Sequence, residues 1–175
     1  MQPVIATTWM GLVGPGIQKG GIDSTTWTDH TNVRPTMLAA LGLHDDYVLD
    51  GRVLIEALTT QATPQSLIAH RETLRRLGDV YEQVNAPFGE FGLSTLAASS
   101  NAIKSGSAAD DSNYTNVENQ IGSLAGERDA LAAQIRAALN AAAFDGVPLN
   151  EQQAKDWINQ GQGLIDQAKQ LAASS

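Results

Sequence analysis

Two hydrophobic rhythms divide the chain. Up to Thr60 short apolar runs alternate with turns, and from Thr63 onward apolar positions recur every three or four residues. Within residues 7–13, Thr7, Thr8, Trp9, Met10, Leu12 and Val13 form a β-branched and apolar run stopped by Gly14-Pro15-Gly16. That pattern predicts a buried strand entering a turn, although no other segment offers an obvious partner strand. Residues 20–27 are rich in Gly, Ser and Thr. Asn32 then stands as an N-cap a few residues before an apolar helical face at Met37, Leu38 and Leu41. Pro35 falls near the first turn, where its missing N–H costs little, and Gly42 follows as a C-cap glycine. Asp45-Asp46-Tyr47 and Asp50-Gly51-Arg52 predict turns leading to Val53, Leu54, Ile55 and Leu58.

The second rhythm predicts helices. One starts at Thr63-Pro64, carries Leu67, Leu74, Leu77, Tyr81 and Val84 on one face, and ends at Asn85-Ala86-Pro87, because the residue before a proline avoids the α region. Phe88-Gly89-Glu90-Phe91-Gly92 reads as a tight corner whose phenylalanines join the core. Leu93, Leu96, Ala97, Ser100 and Ile103 continue as the apolar side of a second helix. Residues 105–111, small and polar, predict a flexible connection. Tyr114, Val117, Ile121, Leu124, Leu131, Ile135 and Leu139 then form a long helical stripe, with Arg128 as its polar interruption. After Gly146-Val147-Pro148, Asn150 and Gln153 predict a capping box for a last helix. Ala154, Trp157, Ile158, Gly161, Leu164, Ile165, Ala168 and Leu171 share one side of it. Gly161 and Gly163 weaken that helix by roughly 1 kcal/mol each, so packing must hold it. The expected fold is α+β but mainly α, a short strand-helix piece followed by a four-helix antiparallel bundle.

Composition narrows the partners. Lys and Arg number 11 against 19 Asp and Glu, a net charge of -8 that argues against a nucleic-acid partner. The nearest basic cluster, Arg71 with Arg75-Arg76, is interrupted by Glu72 and reads as an exposed helix face. Cysteine is absent, which removes disulfides and thiolate sites. No apolar run is long enough to span a bilayer, no leader pattern opens the chain, and the helices lack the basic polar face of a membrane-surface helix. The chain therefore reads as soluble, with no membrane partner. Glu127, Arg128, Asp129 and Arg136 read as solvated charges, as do His44 and His70, and no Glu-x-x-His pair supports a metal centre in the bundle. The Asp50-Gly51 pair lacks the alternating oxygen ligands of a calcium loop.

In order and wording, residues 11–43 resemble the last strand and helix of the alkaline phosphatase superfamily, which includes phosphodiesterase and sulfatase relatives. Gly14-Pro15 is similar to that family's strand-end Gly-Pro, and Thr28-Asp29-His30-Thr31 to its Thr-Asp-x-Thr before the helix. Pro35-Thr36-Met37-Leu38 and Ala40-Leu41-Gly42-Leu43 match the helix, and Asp45-Asp46-Tyr47 and Asp50-Gly51-Arg52 resemble turns that follow it in some large phosphoesterases. The resemblance implies that residues 1–58 are the C-terminal remnant of a catalytic domain and residues 63–175 a helical tail. It implies an exported parent enzyme that hydrolyses phosphate mono- or diesters by attack of a Ser or Thr beside two divalent metals, usually zinc. The nucleophile and nearly all metal ligands of that family lie far upstream, and its last His ligand would fall at or before Met1.

This chain is accordingly expected to hold no catalytic residue, no metal and no cofactor of its own. Gly14, Pro15, Thr28, Asp29, His30, Thr31, Pro35 and Thr36 are its structural signature. His30 reads as a residue shaping the loop or backing the metal site, with direct ligation as the lesser reading, and Asp29 reads as a helix cap. The expected partner is the remainder of the catalytic domain or another protein chain. The alternative is a self-standing helical protein-protein interaction module whose N-terminal strand docks on a partner sheet.

Overall fold

A computed structural model describes residues 8–105 and 111–175, and the described residues of the periodic part are mainly helical. A 3-10 turn at His30–Asn32 leads into α1 (Val33–Leu41). After α2 (Gln65–Ile68) come α3 (Arg71–Asn85), α4 (Glu90–Ser105), α5 (Ser112–Phe144) and α6 (Glu151–Ser174). The helix expected from Thr63 is thus interrupted at Ala69-His70.

The four long helices form three rods. Arg128 of α5 donates to the Val84 carbonyl near the end of α3 at 3.2 Å, and its guanidinium lies 5.2 Å over the Phe91 ring at the start of α4. Toward the α5 N-terminus, Glu118 accepts from Ser99 of α4. Toward its C-terminus, the Ala142 carbonyl accepts from Ser66 of α2. α3 and α4 therefore follow one another along α5, both antiparallel to it. At 33 residues, α5 is about 50 Å long, enough to run along both. α6 returns along α5, with Gly161 beside Leu131 and Leu171 packed with Val117, so it runs parallel to α3 and α4. This corrects the expected four-helix antiparallel bundle. Pro87 breaks the helix, but the Ala86 N–H still reaches the Glu82 carbonyl and the Gly89 N–H reaches Ala86, so the chain restarts without turning back.

The core follows the predicted stripes of α3, α5 and α6. Asn150 accepts the Gln153 N–H at 3.0 Å, as its capping position requires. On α4 the stripe is inverted. Phe91, Ala98 and Ala102 are buried, whereas Leu93, Leu96 and Ile103 are exposed, because α4 meets α5 and α6 through small side chains that allow close approach. Phe88, expected in the core, is also exposed. On α1 the pattern inverts likewise: Pro35, Thr36 and Ala39 face inward, and Met37 and Leu41 face out.

No strand forms among the described residues, which corrects the strand expected over residues 7–13. Thr7 lies outside those residues, as do residues 106–110 of the expected linker. From Thr8 onward the segment is irregular, with Trp9 87% and Val13 98% exposed. A strand needs a neighbour for its N–H and C=O groups, and the described residues provide none to pair with it. A lone antiparallel bridge joins Ile17 to Leu58, where Gln18 donates to Ala57 and Thr59 to Gly16. Val53, Ile55 and Leu58 enter one continuous core with Leu67, Leu74, Leu77 and Leu139.

Candidate functional site

Most of the signature residues converge on a polar brace between the turn before α1 and residues 50–54. Asp29 accepts the Thr31 N–H at 2.7 Å and the Thr31 hydroxyl, so its carboxylate caps the 3-10 turn. Asn32, expected as the N-cap of α1, makes no capping bond and is buried. Its Oδ1 instead accepts the Arg52 N–H at 2.8 Å, while its Nδ2 donates to Thr28 Oγ1 at 3.0 Å. Thr36 donates to the Asn32 carbonyl at 2.7 Å and accepts the Leu54 N–H at 2.9 Å. Gly51 fits between them because a Cβ there would lie 2.2 Å from the Thr31 carbonyl oxygen. Pro35 is buried beneath the same helix, whereas His30 is exposed. Gly14 and Pro15 lie elsewhere. Their turn runs along residues 57–62, where Gln18 donates to the Leu58 carbonyl and Gly16 faces Ala62.

Arg52 is the electrostatic centre of the brace. Only 3% exposed, it donates through Nη1 to both oxygens of Glu56 at 2.9 and 3.0 Å, and through Nη2 to Asp79 at 3.4 Å. Its stem lies across Gly78 of α3, where a Cβ would approach Cδ to 2.6 Å. Glu82, 2% exposed, faces Arg52 Nε at 3.7 Å, too long for a hydrogen bond. Burial pushes the Glu82 carboxyl up to about 7, against the pull of the Asn32 amide and the Arg52 charge. Burial also raises Asp79. Below the brace, Tyr81 donates to the Asp50 carbonyl, Arg136 pairs with the Asp50 carboxylate, and Asn140 donates to the Leu49 carbonyl.

Several charges expected to be solvated therefore tie segments together. Arg128 and Arg136 bridge helices and loops, as described. His44 stacks on Phe144 at 5.5 Å between centroids, and His70 lies 3.4 Å from Glu151. The importance of Arg52, Glu82 and Asn32 does not show in the sequence pattern. A signal is present in Gly78, a glycine inside a strong helix, which marks a close approach by another segment.

In the brace the Thr31 hydroxyl lies on the Asp29 carboxylate, which caps the 3-10 turn, so the arrangement holds and orients the loop before α1. The described residues contain no group of three His, Cys, Asp or Glu positioned for a metal ion, and the Asp29 carboxylate beside His30 is occupied by Thr31. A two-metal centre does not fit these residues. No helix among them is long and apolar enough to cross a membrane.

The other notable surface is apolar. Of the fourteen large hydrophobic side chains most exposed in the described residues, nine lie between Trp9 and Val48: Trp9, Met10, Val13, Ile22, Met37, Leu41, Leu43, Tyr47 and Val48. That concentration sets the segment apart from the helical rods, where scattered exposure is ordinary. Beside it an open groove of ≈ 450 Å³ lies between the end of α1, residues 61–64 and the end of α5. Comparison with protein-family models, curated proteins and solved structures found no match.

Proposed function

We propose that this chain is a supporting, non-catalytic part of a metal-dependent phosphoesterase of the alkaline phosphatase superfamily, which docks through its N-terminal segment on the remainder of the catalytic domain. The observation that carries this reading is the crowding of exposed apolar side chains between Trp9 and Val48. In this reading residues 8–13 pair as a strand once a sheet is present to receive them, and Gly14-Pro15 ends that strand. The polar signature then serves a mechanical purpose, because Thr28, Asp29, Thr31 and Thr36 hold the loop and α1 at a set angle to the helices. Phosphate-ester hydrolysis belongs to the parent enzyme, whose nucleophile and two metals lie outside this chain.

The second reading is a self-standing helical interaction module, favoured by the continuous core that α2, α3, α5 and α6 already share with residues 53–58. Translating the DNA upstream of Met1 in the same frame separates the two. An open frame carrying a Ser or Thr nucleophile and Asp and His ligands supports the phosphoesterase reading, and an in-frame stop preceded by no such segment supports the module. Robust hydrolysis of p-nitrophenyl phosphate by the purified chain with zinc or manganese would overturn the non-catalytic assignment.

A further inference from the structure

On one of the rods the exposed apolar side chains keep register. Leu93, Leu96 and Ile103 stand out from α4, with exposed Ala97 and half-buried Ser100 among them. Positions 93, 96, 100 and 103 step by three, four and three, which is the spacing of a coiled-coil seam. The inward face of α4 is already used, since Phe91, Ala98 and Ala102 pack into the protein, so the stripe is a second face of the same helix. Exposed positions on the adjoining helices are polar by contrast, Asn119 and Ser123 on α5 and Gln162 and Asp166 on α6 among them. We propose that this stripe is a homodimer seam, on which α4 of a second copy of this chain packs antiparallel about a two-fold axis. The inference does not rest on the phosphoesterase reading.

Self-complementarity selects the occupant. About the midpoint of the stripe an antiparallel copy sets Leu93 against Ile103 and Leu96 against Ser100, and the two-fold axis makes each pair twice. Glu90 and Lys104 lie two heptads apart, so they share one flank of the stripe. That flank is the α6 side, where Glu90 pairs with Lys169. In an antiparallel pair this flank meets the same flank of the second copy, which brings Lys104 of each chain to Glu90 of the other. A parallel pair would bring it instead to the flank of Gly92 and Ser99, which carries no charge on α4. Lys104 has no ion pair among the described residues, and the half-exposed Glu90 carboxylate keeps lone pairs for a second cation. The stripe lies toward the α5 N-terminus, where Ser99 meets Glu118, whereas the brace is tied to α5 at Arg136 and Asn140, so seam and brace occupy opposite ends of that helix. One helix face is small beside a standard interface of about 800 Å² per partner, which makes the dimer weak, with a Kd on the order of tens of micromolar.

Sedimentation of the whole chain between about 5 and 500 μM tests the seam, and a reversible passage from monomer to dimer is expected across that range. Leu96→Lys places a charge at the seam without entering the core, so it should weaken the dimer at least about twentyfold while the far-UV circular dichroism stays that of wild type. Lys104→Glu and Glu90→Lys each set like charges at both ends of the pair and should each weaken association about fivefold. An equimolar mixture of those two variants should associate about fivefold more tightly than either alone, because only the mixed antiparallel pair regains both contacts. A wild-type chain that stays monomeric at the highest concentration, a dimer of undiminished strength in Leu96→Lys, or a mixture no stronger than its components would each overturn the antiparallel seam. Should Leu96→Lys fail to fold, the wild-type series and the mixture decide the matter.

Discussion

Gly161 of α6 lies directly against Val80 of α3: a Cβ built on Gly161 would approach Val80 Cγ1 to 2.3 Å. Gly163, two residues on, has no heavy atom within 4 Å of such a Cβ. Two glycines that look alike in a helical sequence thus have opposite roles. Gly161→Ala should destabilise the protein by about 1–2 kcal/mol, overpacking outweighing the helix-propensity gain. Gly163→Ala should stabilise it by roughly 0.5–1 kcal/mol. Urea midpoints of the two variants measured side by side check the pair, and a stabilised Gly161→Ala would show that the rods are not in close contact.

A second steric prediction concerns the brace. The Cβ of Gly51→Ala would meet backbone, the Thr31 carbonyl oxygen at 2.2 Å, which cannot rotate away. A loss of about 2–3 kcal/mol is expected. Asn32→Ala removes the acceptor of the buried Arg52 N–H and should cost about 1–3 kcal/mol. Denaturant unfolding with unchanged m-values is the appropriate readout, and a cost below about 0.5 kcal/mol in both variants would mean that the brace is not formed in solution.

The buried Glu82 predicts a direction for stability against pH. Its folded pKa of about 7 lies above the ordinary 4.5, so between these values the native state binds more proton than the unfolded chain. Stability from this group is fully present below 4.5 and is lost as pH rises through 7, a change of about 2–3 kcal/mol between pH 5 and 8. The carboxyls of Asp45, Glu72 and Glu151 are lowered by their cationic neighbours, and they act in the opposite sense at more acid pH. The comparison is therefore wild type against Glu82→Gln at pH 5 and pH 8. An equal difference in both proteins would assign the pH dependence to other groups.

Trp9 is 87% exposed and Trp157 7% exposed, so acrylamide should quench the first far more than the second. Trp9→Ala should leave the unfolding free energy within about 0.5 kcal/mol of wild type. Protection of Trp9 from quenching on addition of a candidate catalytic segment would mark the docking face. A clear loss of stability in Trp9→Ala alone would instead place the indole in the protein's own core.

The helical half was legible because its information is local. A stripe repeating every three or four residues in α3, α5 and α6 is buried wherever those helices go, and the Asn150 cap and the Gly42 stop are set within a few residues of chain. Residues 7–13 misled for the opposite reason. Their composition suits a strand, but pairing is a property of two segments, and the described residues provide no second one.

Amphipathic period, helix ends and the excess of acidic residues thus follow from residue order, since each is fixed by the chain itself or by near neighbours along it. The end-to-end placement of α3 and α4, the outward turn of Leu93, Leu96 and Ile103, and the gathering of Asn32, Arg52, Asp79 and Glu82 come from packing at long range. A proline says where a helix stops but not the direction in which the next one leaves. An arginine after a glycine says that a turn is charged, but not that Gly78 in a distant helix opens the space to bury it. Those outcomes depend on which surfaces fit closely enough to exclude water, and that is settled when the rods and the brace come together.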